Sequence, residues 1–184
     1  MQIDVIIVSF LNGLAGQSSA ADFLIVFFAH YFPYLVALVF AVFVWKHLAS
    51  QREKLWIACE GIAAALISRF VFVELIRAFF HRTRPFVDHT LTSLLAETSY
   101  SFPSGHAAFF FALATVVYLY NKSIGLWFFG SALLIGIARI VAGVHYTSDI
   151  LGGAVLGMLV GYAVHVIRRK ILKRNRDSLS ATQV

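Results

Sequence analysis

Five long stretches of the chain are almost entirely apolar. They cover residues 23–45, 55–76, 107–120, 124–142 and 150–167. About 20 apolar residues let a helix cross the hydrocarbon core of a bilayer, and the short third stretch can borrow flanking residues. The stretches do not alternate as barrel strands do, and open sheet edges do not survive in hydrocarbon. The pattern therefore predicts an all-α, polytopic membrane helix bundle with five spanning helices.

A shorter amphipathic pattern precedes these stretches. Its apolar residues recur at the spacing of one helix face, which predicts a helix too short to span. They are Ile3, Ile6, Ile7, Phe10, Leu11 and Leu14. A secretory signal peptide is the alternative, because residues 15–21 are rich in small side chains. Such signals need Lys or Arg near their start, however, and the first residues here include Asp4 and no basic residue. We therefore expect a retained interfacial helix and linker over residues 1–21.

Composition strengthens the membrane interpretation. Of the 184 residues, 60% are hydrophobic and 13% charged, with a mean hydropathy of +0.81. Soluble domains carry about 45–50% apolar and about 25% charged residues, so a water-soluble globule is excluded and residues 1–184 form one membrane domain. The net charge of +6 does not indicate nucleic acid, because membrane proteins retain Lys and Arg on the cytoplasmic side. The single cysteine, Cys59, cannot form an internal disulfide.

The basic residues also predict an orientation. With a cytoplasmic C-terminus, ten of the fifteen fall on the inner side, six of them in the basic tail over 168–184. The ten are Lys46, Arg52, Lys54, Lys122, Arg168, Arg169, Lys170, Lys173, Arg174 and Arg176. Four others, Arg77, Arg82, Arg84 and Arg139, concentrate in two outer segments. We expect a multi-pass plasma-membrane protein with a positively charged site at its external face.

The connection between the second and third stretches contains residues suited to binding phosphate. It carries Arg77 and Arg84 and ends in 103–106, which has the sequence Pro-Ser-Gly-His, just before an apolar helix. Ser104 can cap that helix, and the free backbone N–H groups and helix dipole favour an anion near Gly105.

The connection between the fourth and fifth stretches adds a candidate nucleophile. His145 and Asp149 are four residues apart, so one helical turn puts them on one face, where the carboxylate can hold the imidazole tautomer. Arg139 lies shortly before them and can bind phosphate oxygens bidentately. His145 can attack phosphorus and His106 can protonate the departing oxygen. The set indicates phosphoryl transfer from an anionic substrate.

Together these segments resemble the three signature motifs of the type 2 phosphatidic acid phosphatase (PAP2) superfamily. The matching patterns are Arg77-x6-Arg84-Pro85, 103–106 and Arg139-x5-His145-x3-Asp149. The resemblance implies that His145 forms a phosphohistidine, Asp149 orients it and His106 acts as general acid. It implies that the phosphate is bound by Arg77, Arg84, Ser104, Gly105 and Arg139, without a metal or other cofactor. Two positions depart from the usual motifs: Arg77 replaces Lys, and Ala138 replaces Ser.

We therefore expect a membrane phosphatase that acts on a lipid phosphate or pyrophosphate at the outer face. Its expected partners are this substrate and membrane lipids. The small size of the chain, the Arg-Pro-Phe sequence of 84–86 and the Ser-Phe-Pro-Ser sequence of 101–104 resemble those of the bacterial undecaprenyl pyrophosphate phosphatases of this superfamily. This resemblance makes undecaprenyl pyrophosphate the preferred substrate. Phosphatidylglycerophosphate or phosphatidic acid and lipid A remain alternatives, and a proton-coupled transporter is the alternative from another class. Arg69 and Glu74 are expected to face the interior of the bundle, paired with polar partners, in a structural role. Glu97 is expected to lie in a plain loop, with a loop over the pocket as the alternative. His81, Arg82 and His89 are assigned equally to head-group contact or to solvent.

Overall fold

The computed structural model describes residues 2–46 and 51–181, and the side chains of 2–46 and 55–174. Residues 47–50 and 182–184, the end of the predicted basic tail, lie outside the described residues, as do the side chains of Arg52, Lys54 and Arg176. All regular structure in the described ranges is helical: α1 is Gln2–Asn12, α2 Ser19–Lys46, α3 51–79, α4 Pro85–Asp88, α5 Gly105–Tyr120, α6 Lys122–Val141 and α7 Thr147–Ala181. Each predicted apolar stretch falls, to within one residue, inside one long helix, which confirms an all-α bundle.

The lengths of these helices bear on how many cross the membrane. Three in the described part of the chain are long and apolar enough to do so: α2, α6 and the Thr147–Arg174 part of α7. Helix α5 has 16 residues, a length of about 24 Å, which is shorter than the hydrocarbon core of about 30 Å. The count of five spans therefore stays a prediction. Leu38, Leu126 and Leu159 are each about 60% exposed, as expected of side chains that face lipid.

Helix α5 is the centre of the bundle and packs along both α6 and α7. Glycines on α7 allow the close approach. A Cβ atom at Gly157 would lie 2.4 Å from the carbonyl oxygen of Ala108, and one at Gly153 would lie 2.5 Å from that of Ser104. Small residues four apart on a helix are typical of such close helix packing in membranes. This contact also fixes the start of α5 beside the start of α7, at what we call the site end of the bundle.

The other face of α5 packs on α2, α3 and α6 through aromatic and aliphatic side chains. Phe40 of α2 meets Phe128 of α6 edge to face, with ring centroids 6.3 Å apart. Ile57 of α3 and Leu113 of α5 complete the same buried cluster. Burial of such side chains contributes about 1.5–3 kcal/mol each, so this cluster holds the four helices in fixed relative positions.

Helix α1 is present as predicted and packs against the site end. Its buried Asn12 donates hydrogen bonds from Nδ2 to the carbonyl oxygens of Thr92 (2.8 Å) and Val141 (2.9 Å). Ile3, Ile6 and Phe10 are exposed, so much of the apolar face points away from the protein, as an interfacial helix requires. Its location at the membrane interface stays a prediction.

A buried polar cluster lies at the opposite end of the bundle, where α5 ends. Glu60 accepts a hydrogen bond from the Tyr120 hydroxyl (2.6 Å), and His165 Nδ1 lies 2.7 Å from its other oxygen. Arg168 lies 3.4 Å from the same carboxylate. Glu60 is thus paired at one end of the bundle while Arg69 lies near the other. These two charges do not form the relay through the membrane that a transporter would need.

Candidate active site

The start of α5 is built from the Pro-Ser-Gly-His segment. The Ser104 hydroxyl caps the helix by accepting a hydrogen bond from the Ala107 N–H at 3.4 Å. The Ser104 N–H donates to the carbonyl oxygen of Asp149 at 3.0 Å, which joins two of the sequence motifs directly. Helix α5 therefore begins, as predicted, with a polar cap and free N–H groups directed at the site.

His145 and Asp149 meet at the start of α7. His145 lies in the connection two residues before the helix, rather than on a helical turn as the spacing predicted, and its Nδ1 is 3.4 Å from Oδ2 of Asp149. The same oxygen accepts the Tyr146 N–H at 2.8 Å. Both side chains are fully buried. The contact leaves Nε2 of His145 as the ring nitrogen directed away from the carboxylate.

A small cavity of about 40 Å³ collects the candidate residues of all three motifs. It is lined by Arg69, Arg77, Arg84, Glu97, Ser99, Gly105, His106, Arg139 and His145. Six of the eight residues predicted from the sequence thus line one space. The other two, Ser104 and Asp149, lie behind it as the helix cap and the partner of His145.

The three predicted arginines are buried, and backbone carbonyl groups hold them in place, among them that of Ala29 in α2, to which Arg139 donates at 3.4 Å. Arg84 donates to the carbonyl oxygens of Ser99 (2.7 Å) and Val144 (2.8 Å), and Arg77 donates to that of Pro103 (3.1 Å). The Nε atoms of Arg77 and Arg139 are buried without a hydrogen-bond partner among the described residues. Such donors suit an anion whose oxygens supply the missing acceptors.

Glu97, expected in a plain loop, is instead part of the site. Its carboxylate contacts the guanidinium groups of Arg84 (3.1 Å) and Arg139, so it neutralises part of the cluster that the sequence assigns to phosphate. Burial opposes ionisation of this carboxyl group, but the two arginines outweigh burial and hold its pKa below the ordinary 4.5. A single acidic residue between the arginine motif and the Pro-Ser-Gly-His segment is too weak a signal to reveal this contact.

Arg69, expected to be structural, also lines the cavity. It has a polar partner as predicted, and the structure shows that this partner is Glu74, but its guanidinium also packs over Gly105, where an added Cβ would lie 2.4 Å from Nε. In a regular α-helix eight residues make two turns plus about 80°, so Arg69 and Arg77 would face different directions. A π-helical segment, Ile67–Phe72, lowers the rotation per residue and brings them closer. The 3.6-residue periodicity used for the sequence could not reveal this.

Arg82 lies behind the site rather than in it. It donates to Oδ1 of Asp149 at 2.7 Å and to Oδ2 of Asp4 at 3.0 Å, and it lies 4.0 Å from the centroid of the Tyr146 ring. The Asp149 carboxylate is therefore connected to α1 through one arginine. His81 and His89 line a separate cavity of about 720 Å³, which includes neither His106 nor His145.

The electrostatics of the cavity favour a neutral histidine beside an anion. Burial, with Arg139 and Arg84 acting in the same direction, lowers the pKa of His145 well below 6.5, so the imidazole is neutral at physiological pH. Burial also lowers the pKa of Arg84, to about 10, which still leaves it charged. Among the described residues no group of three or more His, Cys, Asp or Glu side chains is arranged to hold a metal ion. The arginines are therefore the available positive charges.

Comparison with known proteins agrees with this arrangement. A family model described as PAP2 superfamily matches residues 54–173. Undecaprenyl-diphosphatase BcrC of Bacillus subtilis (strain 168) is 32% identical over 156 residues, which cover 83% of this chain and 77% of that protein. Phosphatidylglycerophosphatase B of the same strain is 31% identical over 115 residues, covering 56% and 54%. The crystal structure of Aquifex aeolicus LpxE aligns with a TM-score of 0.69 at 28% identity, covering 86% and 92%. This chain therefore belongs to the PAP2 superfamily and is a multi-pass membrane phosphatase that acts on lipid phosphates.

Proposed function

We propose that the protein removes the terminal phosphate of undecaprenyl pyrophosphate, with His145 carrying the phosphoryl group between two steps. The observation that carries the proposal is a second, apolar cavity of about 330 Å³ next to the arginine-lined one. Its walls come from α2, α3 and α5 and are mostly apolar, with Pro33, Phe70 and Phe109 among them. The part of a prenyl chain nearest its phosphates can lie there while the phosphates reach the arginines, and the rest of the chain stays in the bilayer.

In the first step Nε2 of His145 attacks the terminal phosphorus. A bond from nitrogen to phosphorus forms, and the bond from phosphorus to the bridging oxygen breaks. His106 gives its proton to that oxygen, which leaves as the lipid monophosphate. Asp149 holds the Nδ1 proton and stabilises the positive charge that develops on His145, and Arg77, Arg84 and Arg139 stabilise charge on the transferred oxygens.

In the second step water attacks the phosphohistidine. His106, now deprotonated, takes a proton from the water, and the bond from nitrogen to phosphorus breaks. One water is consumed and inorganic phosphate is released, which restores neutral His145 and protonated His106. No metal or other cofactor takes part, so we expect activity to persist in EDTA.

We also propose that the site faces the outside of the cell and that the C-terminus is cytoplasmic. The basic segment at the end of α7 supports a cytoplasmic C-terminus, because Lys and Arg concentrate on the cytoplasmic side of membrane proteins. The arginines at the site end line the cavity, so phosphate binding accounts for their presence on the outer side. The test is labelling of single cysteines in a Cys59→Ser background with a membrane-impermeant reagent. A cysteine at position 89 should react in intact cells and one at 173 only after lysis. The reverse pattern would contradict the orientation without affecting the chemistry.

Undecaprenyl pyrophosphate is preferred over the alternatives because the 32% identical relative is an undecaprenyl-diphosphatase along 77% of its length. Phosphatidylglycerophosphate stays a second candidate because phosphatidylglycerophosphatase B is similar over a shorter part of the chain. The deciding measurement is phosphate release by detergent-solubilised protein from undecaprenyl pyrophosphate, phosphatidylglycerophosphate, phosphatidic acid and lipid A. We expect the highest kcat/KM on the pyrophosphate. A higher value on another lipid would replace the proposed substrate by that lipid.

The proposed chemistry has its own test. His145→Ala should abolish phosphate release from every lipid in the panel, and vanadate should inhibit as a mimic of five-coordinate phosphorus. His81→Ala is the matched control. His81 lies in the connection between α3 and α5, where its ring contacts that of Tyr100 (centroids 4.6 Å apart), and it does not line the 40 Å³ cavity. Full activity in His145→Ala would contradict the mechanism, and loss of activity in EDTA would contradict metal independence.

A further inference from the structure

The arginine-lined cavity and the apolar cavity meet at one place. Only Arg69, Gly105 and His106 line both of them. If the tail lies in the apolar cavity and the terminal phosphorus lies against His145, the atoms that join them must pass these three residues. The chemical group at this junction is the one attached to the bridging oxygen that leaves.

Arg69 places a positive charge at this junction, and it is the only Lys or Arg among the described residues that lines both cavities. Its side chain is 28% exposed, whereas those of Arg77, Arg84 and Arg139 are exposed by 6% or less. Its guanidinium contacts Glu74 and the face of Phe70, with 5.0 Å to the ring centroid. Among the described residues no backbone carbonyl group accepts a hydrogen bond from it, in contrast to Arg77 and Arg84.

Substrates differ in what they place beside Arg69. In a lipid pyrophosphate the bridging oxygen joins the terminal phosphate to a second, anionic phosphate. In a lipid monophosphate, and in phosphatidylglycerophosphate, it joins the phosphate to a carbon atom. A cation at the junction therefore gains an ionic hydrogen bond only with a pyrophosphate, and it also stabilises the charge of the departing monophosphate.

We infer that Arg69, packed over Gly105, forms a second anion subsite that binds the phosphate remaining on the lipid and thereby selects pyrophosphate over monophosphate substrates. The inference rests on the proposed lipid phosphatase function. Glu74, whose side chain is 48% exposed, is the group that the phosphate replaces as partner of Arg69. Gly105 is required at its position because a side chain there would occupy the place of the guanidinium.

The test compares two substrates with the same tail, farnesyl pyrophosphate and farnesyl phosphate, and measures kcat/KM for each in detergent. The ratio of the two values isolates the junction, because the tail and the cleaved phosphate are common to both. Arg69→Gln should lower this ratio about 10- to 100-fold, which corresponds to loss of one charge-assisted hydrogen bond of about 1.5–3 kcal/mol. Arg69→Lys should keep the ratio within a few-fold of wild type.

Two further variants test the role of Arg69 independently. Arg77→Gln should lower both kcat/KM values by similar factors, because Arg77 lines only the phosphate cavity. Glu74→Gln removes the acidic partner of Arg69 and should raise the ratio of kcat/KM on the pyrophosphate to that on the monophosphate. Because Glu74 is half exposed, this variant should fold, so it tests the inference even if Arg69→Gln does not fold. An unchanged ratio in Arg69→Gln, or an unchanged or lower ratio in Glu74→Gln, would overturn the inference and leave the proposed function intact. Wild-type protein that releases phosphate neither from the two farnesyl substrates nor from undecaprenyl pyrophosphate would overturn both.

Discussion

Replacement of Glu97 by Gln tests whether an internal carboxylate competes with phosphate for the arginines. Glu97 contacts Arg84 and Arg139, two of the residues proposed to bind the substrate. The variant keeps the size and hydrogen-bonding capacity of the side chain and removes its negative charge. We expect it to be less stable than wild type without ligand and to bind a phosphate mimic more tightly.

The size of both effects follows from the contacts. Glu97 is 24% exposed and makes two ionic hydrogen bonds, of which Gln retains the weaker neutral form, so we expect a loss of about 1–3 kcal/mol in the free energy of unfolding. Two like charges about 6 Å apart repel by about 3 kcal/mol at an effective dielectric constant of about 20. If rotation of the carboxylate relieves half of this, vanadate should bind about tenfold more tightly to the variant.

Thermal unfolding in detergent at increasing vanadate concentration measures both quantities, because a ligand that binds only the native state raises the melting temperature according to its Kd. Asp88→Asn is the matched control: it removes the same charge from the same connection, but Asp88 bonds to Thr83 and does not line the cavity. Equal or weaker vanadate binding by Glu97→Gln would refute the competition. An equal gain in both variants would show a general effect of net charge instead.

Three other changes probe the parts that support the site. Arg82→Gln removes the charged partner of the catalytic carboxylate, so kcat should fall about 10-fold or more with little change in KM; steady-state kinetics on a lipid phosphate measures this. Gly157→Ala should lower the free energy of unfolding by about 1–3 kcal/mol because its Cβ meets backbone, whereas Gly130→Ala, with nothing within 4 Å, should be neutral or stabilising. Stability should fall as the pH drops below about 6.5 and further below about 4.5. The unfolded chain binds protons there that native His145 and Glu97, with lowered pKa values, do not. Unfolding between pH 4 and 8 checks this, and a flat profile would contradict it.

The helices and the convergence of the motifs could be predicted because they depend on local sequence. Long apolar stretches leave no alternative to helices in hydrocarbon. Once the helices alternate in direction, the connections that carry Arg84 and His145 must lie at the same end. That reasoning places the arginines and histidines near one another without any knowledge of the loops, and in the structure they line one cavity.

Two charged members of that cavity, Arg69 and Glu97, could not be predicted, for different physical reasons. Glu97 belongs to the irregular part of its connection, after α4, and the path of that part depends on contacts with distant residues; Asn12, for example, bonds to Thr92 in the same part. Arg69 depends on a π-helical turn, which changes the register of α3 without an evident signal in the sequence. The number of spanning helices also stays open to sequence reasoning, because α5 is shorter than the membrane is thick.

The contact between Asp4 and Ser148 has a consequence for the order in which the site forms. Asp4 accepts the Ser148 N–H at 3.0 Å across a separation of 144 residues, and it bonds to the same arginine as the catalytic carboxylate. During synthesis α1 can therefore reach its final position only after the start of α7 has been made, since contacts between residues so distant in sequence form late. We expect nascent chains that stop before residue 147 to insert their earlier helices yet remain inactive, so that no partial product hydrolyses lipid phosphates.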